Sequence, residues 1–141
     1  MSIRTMIELN AFQDIFDDVL EIHFSRYGLS RAKYNALMQV FMTGGQGLTQ
    51  SELGKMLLVS RANVTRLIDR LEKEELVVRK ADPTDKRACQ IYLTDRASRL
   101  MEAFVPVHNQ YVNKLMSSLD INEKQQLIAL LNKLKKGLDN S

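Results

Sequence analysis

Arg61, Asn63, Thr65, Arg66 and Arg70 crowd into ten residues of the stretch "VSRANVTRLIDRLEKEEL". The planar donor fork of arginine suits a guanine edge or a phosphate, and asparagine can pair with the edge of adenine. Val64, Leu67, Ile68 and Leu71 recur at three- and four-residue steps between them. A helix would gather those four on one seam and turn Thr65, Arg66, Asp69 and Arg70 outward. Ser60 is placed to cap that helix, and side chains from Ser60 to Arg66, near its start, would reach deepest into a groove. The competing reading is a solvated face with local ion pairs, since Asp69 and Lys73 stand four apart.

A second cluster follows at Asp82, Asp85, Lys86 and Arg87. Lys86 and Arg87 can follow phosphates or enter a narrow minor groove. Asp85, two residues before Arg87, can hold that guanidinium in one orientation, but should not itself touch phosphate. The formal charge of +3 is too small to identify a nucleic-acid binder, so distribution matters more. From Met1 to Phe24 the one basic residue, Arg4, faces Glu8, Asp14, Asp17, Asp18 and Glu21. From Ser60 to Gln90 eight basic residues outnumber six acidic ones, which places the footprint for a polyanion in the second half.

Other chemistry finds little support. No nucleophile motif, phosphate-cradling glycine loop or metal-ligand spacing is present, so no catalytic residue, metal site or cofactor is expected. His23 and His108 read as packed or surface histidines. Cys89 cannot form an intrachain disulfide alone and reads as a small strand residue, although the nearby Lys86 and Arg87 could lower its pKa. The acidic, amphipathic start is unlike a signal peptide, and no run of about 18 apolar residues suggests a membrane span. A cytoplasmic protein is expected.

The elements that must position these clusters are mainly helical. The 141 residues suit one domain. A first amphipathic helix is predicted over Ile3–His23, and a second from Arg31 to about Met42, capped by Ser30 and stopped by "TGGQG". Thr49 and Glu52 fit a capping box for a short third helix ending near Leu58. The fourth helix runs to about Glu75. "LVVRKA" and "CQIYLT" then change period to that of strands, with "DPTDKRA" as a charged hairpin tip. Thr94 caps a fifth helix to about Leu119, which Pro106 should bend. Asp120 and Glu123 box the start of a sixth, striped by Leu127, Leu131, Leu134 and Leu138. The expected fold is therefore mainly α with a small β hairpin, a helix-turn-helix carrying a wing.

"LTQSELGKMLLVSRANVTRLIDRLEKEELVVRKADPTDKRACQIYLT" resembles the MarR family of bacterial transcriptional regulators. The helix-turn-helix seam, the "D-x-x-D-K-R" tip and the closing "LT" carry the likeness, and the helix order extends it along nearly the whole chain. It implies one domain over residues 1–141. Residues 30–94 would form the DNA-binding lobe, with the helix-turn-helix at about 49–75 and the wing at 77–93. Residues 1–29 and 95–141 would form dimerisation helices. It also implies that Arg87 enters the minor groove, paired to Asp85. Glu75 stands where the family often has glycine, so that helix end needs another solution or a costlier left-handed residue. Ala97 replaces a common glycine after "LT". The family's peroxide-sensing branch carries its cysteine on the first helix, where this chain has none; some members bind zinc through residues from several helices.

The function expected is that of a ligand-responsive homodimeric repressor of transcription. It would bind a pseudo-palindromic operator in double-stranded DNA through Ser60, Arg61, Asn63, Thr65, Arg66, Arg70, Lys86 and Arg87. Phe12, Phe16, Leu127, Leu131, Leu134 and Leu138 would serve dimerisation, since strongly amphipathic first and last helices flank the lobe. The resemblance places effectors such as phenolic or aromatic-acid compounds in a cavity between the dimer helices and the lobe. The alternative from another class is a winged-helix protein-interaction module without specific DNA binding. Apolar residues on the outer face of the fourth helix would favour it, and that face is mostly polar and charged.

Overall fold

The computed structural model describes residues 1–81, 84 and 89–139. Along the chain run α1 (Ser2–Ser25), α2 (Arg31–Phe41), β1 (Leu48–Thr49), α3 (Gln50–Leu57), α4 (Arg61–Lys73), β2 (Val77–Ala81), β3 (Cys89–Leu93), α5 (Asp95–Leu115) and α6 (Ile121–Asp139). The mainly helical class with a small hairpin is as expected. The two-residue strand β1 is an addition that sequence reasoning did not anticipate.

Local chemistry starts the helices where the capping residues predict. The Ser30 hydroxyl accepts from the Lys33 N–H at 3.2 Å, Thr49 from Glu52 at 3.1 Å, and Ser60 from Asn63 at 3.2 Å. Thr94 accepts from Ala97 at 3.1 Å. Asp120 and Glu123 complete a reciprocal box, with bonds of 2.8 and 3.1 Å. Each bond satisfies a backbone donor that the first helical turn leaves without an intrahelical partner. α5 continues through Pro106, whose missing N–H leaves the Glu102 carbonyl without its usual intrahelical donor.

Two helix ends use left-handed residues other than glycine. Leu58 after α3 has φ 55° and Glu75 after α4 has φ 60°. At the α4 end the Leu76 N–H reaches the Leu71 carbonyl at 2.9 Å and the Glu75 N–H reaches Glu72 at 3.0 Å. The α3 end repeats the pattern, Val59 to Gly54 and Leu58 to Lys55, both at 3.3 Å. This paired closure requires a left-handed residue, which costs an L-amino acid about 1–2 kcal/mol. Thus Glu75 adopts the costlier conformation, and the Thr94 hydroxyl donates to its carbonyl at 2.8 Å. Ala97 is fully buried, so its methyl is accommodated where the family often has glycine.

The sheet is antiparallel, ordered β1-β3-β2. Leu48 pairs with Ile91 and Thr49 with Gln90, while β2 pairs with β3 from Val77↔Leu93 to Ala81↔Cys89. Gly47 explains why the chain can reach the edge of β3. It has φ +75°, and a Cβ there would lie 2.7 Å from the Ile91 carbonyl oxygen and 2.8 Å from the Tyr92 ring. The Thr43 hydroxyl steadies this turn, donating to the Val40 carbonyl at 2.7 Å and accepting from the Gly47 N–H at 3.0 Å.

The backbone forms two compact units, Met1–Phe104 and Val105–Ser141. In the first, Leu37, Leu53, Ile68, Leu71, Ile91 and Met101 are fully buried. Phe104 anchors an aromatic cluster there, its ring centroid 4.8 Å from Tyr27 and 5.5 Å from both His23 and Tyr34. In the second, α6 keeps its leucine stripe exposed.

Candidate nucleic-acid interface

α3 and α4 meet through a glycine. A Cβ on Gly54 would lie 3.1 Å from a Val64 methyl, so the small residue lets the helices close tightly. Val64, Ile68 and Leu71 are buried, as the seam predicts, and Leu67 is half-buried. A polar brace crosses the same junction: Gln50 Nε2 donates to Thr65 Oγ1 at 2.6 Å, and that hydroxyl donates to the Arg61 carbonyl at 2.9 Å. Thr65 is half-buried, and its hydroxyl is engaged in holding α4 on α3. Ser60 caps α4, while Arg61, Asn63, Arg66 and Arg70 are exposed.

The acids of α4 are drawn to other elements. Arg79 of β2 holds Asp69 at 2.6 Å and Glu72 at 3.0 Å, with only 23% of its side chain exposed. Burial works against the charge on Arg79, but the hydrogen bond and charge of Asp69, with help from Glu72, raise its pKa overall. Glu74, the residue capping the end of α4, meets Lys33 of α2 at 2.7 Å. Among the described residues, Arg61, Arg66 and Arg70 make no ion pair. The helix therefore presents cations with no carboxylate attached to them, an arrangement suited to a polyanion.

Arg79 was missed by sequence reasoning, which considered a partner for Asp69 only in the competing solvated-face reading, where it was Lys73. The available signal was the strand period. Arg79 lies two residues after buried Val77, hence on the face turned toward α4, where Asp69 and Glu72 sit one helical turn apart. The helical spacing of four was the more familiar cue, but a carboxylate ten residues from its partner in sequence captured the arginine.

Asp85, Lys86 and Arg87 lie outside the described residues. The strands leading toward them are described: Lys80 Nζ stands 5.4 Å from the Tyr92 ring centre, and Cys89 is half-buried. His23 and His108 are both buried. Burial, then the nearby Arg26 charge, pushes the His23 pKa below its usual value. Among the described residues no group of three or more His, Cys, Asp or Glu is placed to hold a metal ion.

The expected dimerisation residues keep apolar surface exposed. Phe12 and Phe16 stack on α1 with ring centroids 5.2 Å apart, and Phe12 is 57% exposed. On α6, Leu127, Leu131, Leu134 and Leu138 are all exposed.

Comparison with known proteins agrees with this geometry. A sequence model described as the MarR family matches residues 27–88. The chain is 35% identical over 107 residues to an uncharacterized HTH-type transcriptional regulator, YkoM, of Bacillus subtilis, covering 76% of this chain and 68% of the relative. It is 31% identical over 132 residues to the HTH-type transcriptional repressor YetL of the same organism, covering 89% and 79% respectively. Its fold matches that of MepR in the S. aureus MepR–DNA complex with a TM-score of 0.82, at 24% identity, covering 94% of this chain and 96% of the other. The winged helix-turn-helix and these relatives together establish that the chain belongs to the MarR family of transcriptional regulators.

Proposed function

We propose that this chain is a homodimeric, ligand-responsive repressor that reads a pseudo-palindromic operator with α4 and grips the neighbouring groove with its wing. The observation that carries this reading is the charge arrangement on α4: Arg61, Arg66 and Arg70 are exposed while Asp69 and Glu72 are engaged by Arg79. The named repressor relative and the DNA-bound structural relative support it. Ser60, Arg61, Asn63, Arg66 and Arg70 face the duplex; Thr65 contributes mainly by bracing. Lys86 and Arg87 at the wing add phosphate or minor-groove contact, with Asp85 orienting Arg87.

The exposed apolar residues of α1 and α6 support the dimer, because continuous apolar stripes left in water mark interaction surfaces. Two-fold symmetry then places the two copies of α4 about 34 Å apart, one turn of duplex. No described helix is long and apolar enough to cross a membrane, and the repressor acts in the cytoplasm. An open groove of about 390 Å³ lined by Phe41, Thr43, Val78, Lys80, Tyr92 and Ser98, between α2, the strands β2 and β3 and the start of α5, supports a small-effector site there, rather than between the dimer helices and the lobe where the resemblance puts it. An effector bound there releases DNA to the extent that it prefers the dimer whose lobes are wrongly spaced.

Fluorescence anisotropy on duplexes selected from genomic fragments, titrated with salt, tests the reading. Affinity should fall linearly on a log–log plot, and Arg87→Ala should flatten the slope by about one. Arg66→Ala or Asn63→Ala should change the preferred sequence. Failure to bind any fragment at low salt would overturn the proposal and favour a protein-interaction module.

A further inference from the structure

Leu58 sits in the turn between α3 and α4 with φ 55° and ψ 40°, and the residue is 91% exposed. The turn needs a left-handed residue there to close α3, but needs no side chain; glycine would meet the demand without strain. Glu75 closes α4 in the same conformation, yet its carboxylate belongs in water and its carbonyl receives the Thr94 bond. At Leu58 a strained backbone instead holds an apolar, branched side chain in solvent, with partly exposed Met56 and Val59 beside it. Backbone strain combined with exposed apolar surface is the pattern of a residue held for contact.

The position narrows the contact. Leu58 precedes the α4 cap, Ser60, by two residues, so their Cα atoms lie within about 7 Å. That end of α4 bears exposed Arg61 and Asn63. At a major groove, the apolar group on the base edges is the C5 methyl of thymine. We propose that Leu58 is a specificity-determining residue that packs against a thymine methyl at the flank of each half-site. The proposal rests on the DNA-binding reading above and continues its surface by one side chain.

The test uses the full-length protein and duplexes selected from a random pool by the wild type. Single thymines in the winning duplex are replaced by uracil, which removes the methyl and nothing else. The wild type should lose about fourfold in affinity at one flanking position per half-site, the worth of a buried methyl. Leu58→Gly and Leu58→Ala should bind the thymine and uracil duplexes equally, while keeping the wild-type preference at the remaining positions. Leu58→Gly should also be no less resistant to heat than the wild type, so lost discrimination cannot be ascribed to unfolding. Wild-type protein that ignores every uracil replacement, or variants that keep its full sensitivity, would overturn the role of Leu58 alone. Wild-type protein that selects no duplex at all would instead overturn the DNA reading, and the inference with it.

Discussion

The guanidinium of Arg79 lies 2.6 Å from the carboxylate of Asp69, tying the strand β2 to the helix α4. A second bond of 3.0 Å to Glu72 makes Arg79 a two-point clasp. The clasp does two things at once. It joins β2 to α4, and it neutralises two acids that, on the proposed reading, would otherwise face phosphate.

Replacing Arg79 with methionine should therefore harm binding more than stability. Both carboxylates are substantially exposed, so solvent screens their loss of a partner, and unfolding in urea should show a destabilisation of about 1–2 kcal/mol. DNA affinity should fall by at least about tenfold, because two unpaired negative charges join the binding face. Adding Asp69→Asn and Glu72→Gln to Arg79→Met should restore much of that affinity. If the triple variant binds as poorly as the single one, charge neutralisation is not the function of the clasp.

Two backbone substitutions should move stability in opposite directions. Gly47→Ala places a methyl 2.7 Å from the Ile91 carbonyl oxygen at a φ of +75°, and should cost about 2–4 kcal/mol by thermal or urea unfolding. Glu75→Gly relieves a left-handed residue and should stabilise by about 0.5–1 kcal/mol. A neutral Gly47→Ala would mean that the glycine turn is not pressed against β3.

His23 should make the fold sensitive to acid. The unfolded chain takes up a proton near pH 6.5, while burial and Arg26 hold the folded residue's pKa lower. Its contribution is therefore fully present above about pH 6.5 and is lost as the pH falls through the lower folded value. His23→Phe, which keeps a ring beside Phe24, Tyr27 and Phe104, should flatten the stability profile over that window. An unchanged slope in the variant would assign the acid sensitivity to another group.

The α6 stripe should decide the oligomeric state. Leu131→Lys with Leu134→Lys places two charges among leucines that the dimer would bury, and sedimentation velocity should then report monomer. Loss of dimer should carry loss of high-affinity operator binding, since each lobe would then bind its half-site alone. A dimer that persists in this variant would place the interface elsewhere.

Ser30, Thr49, Ser60, Thr94 and the Asp120–Glu123 box were legible in the sequence because a cap closes within three residues of itself. The seam of α4 was legible for the same reason, its spacing being a property of one helix. β1 was not legible, because two residues have no period to show, and they are a strand only where Gly47 lets them lie against β3. The roles of Thr65 and Asp69 also depended on distant partners, Gln50 on α3 and Arg79 on β2.

The amino-acid order alone thus determined which segments coil, where they begin and which helix carries the cations, since those outcomes depend on neighbours a few residues apart. Only the tertiary structure decided which of those cations remain available. Whether an arginine faces a phosphate or a carboxylate depends on what the fold brings within about 4 Å of it, and here β2 supplied the competitor that took the acids away.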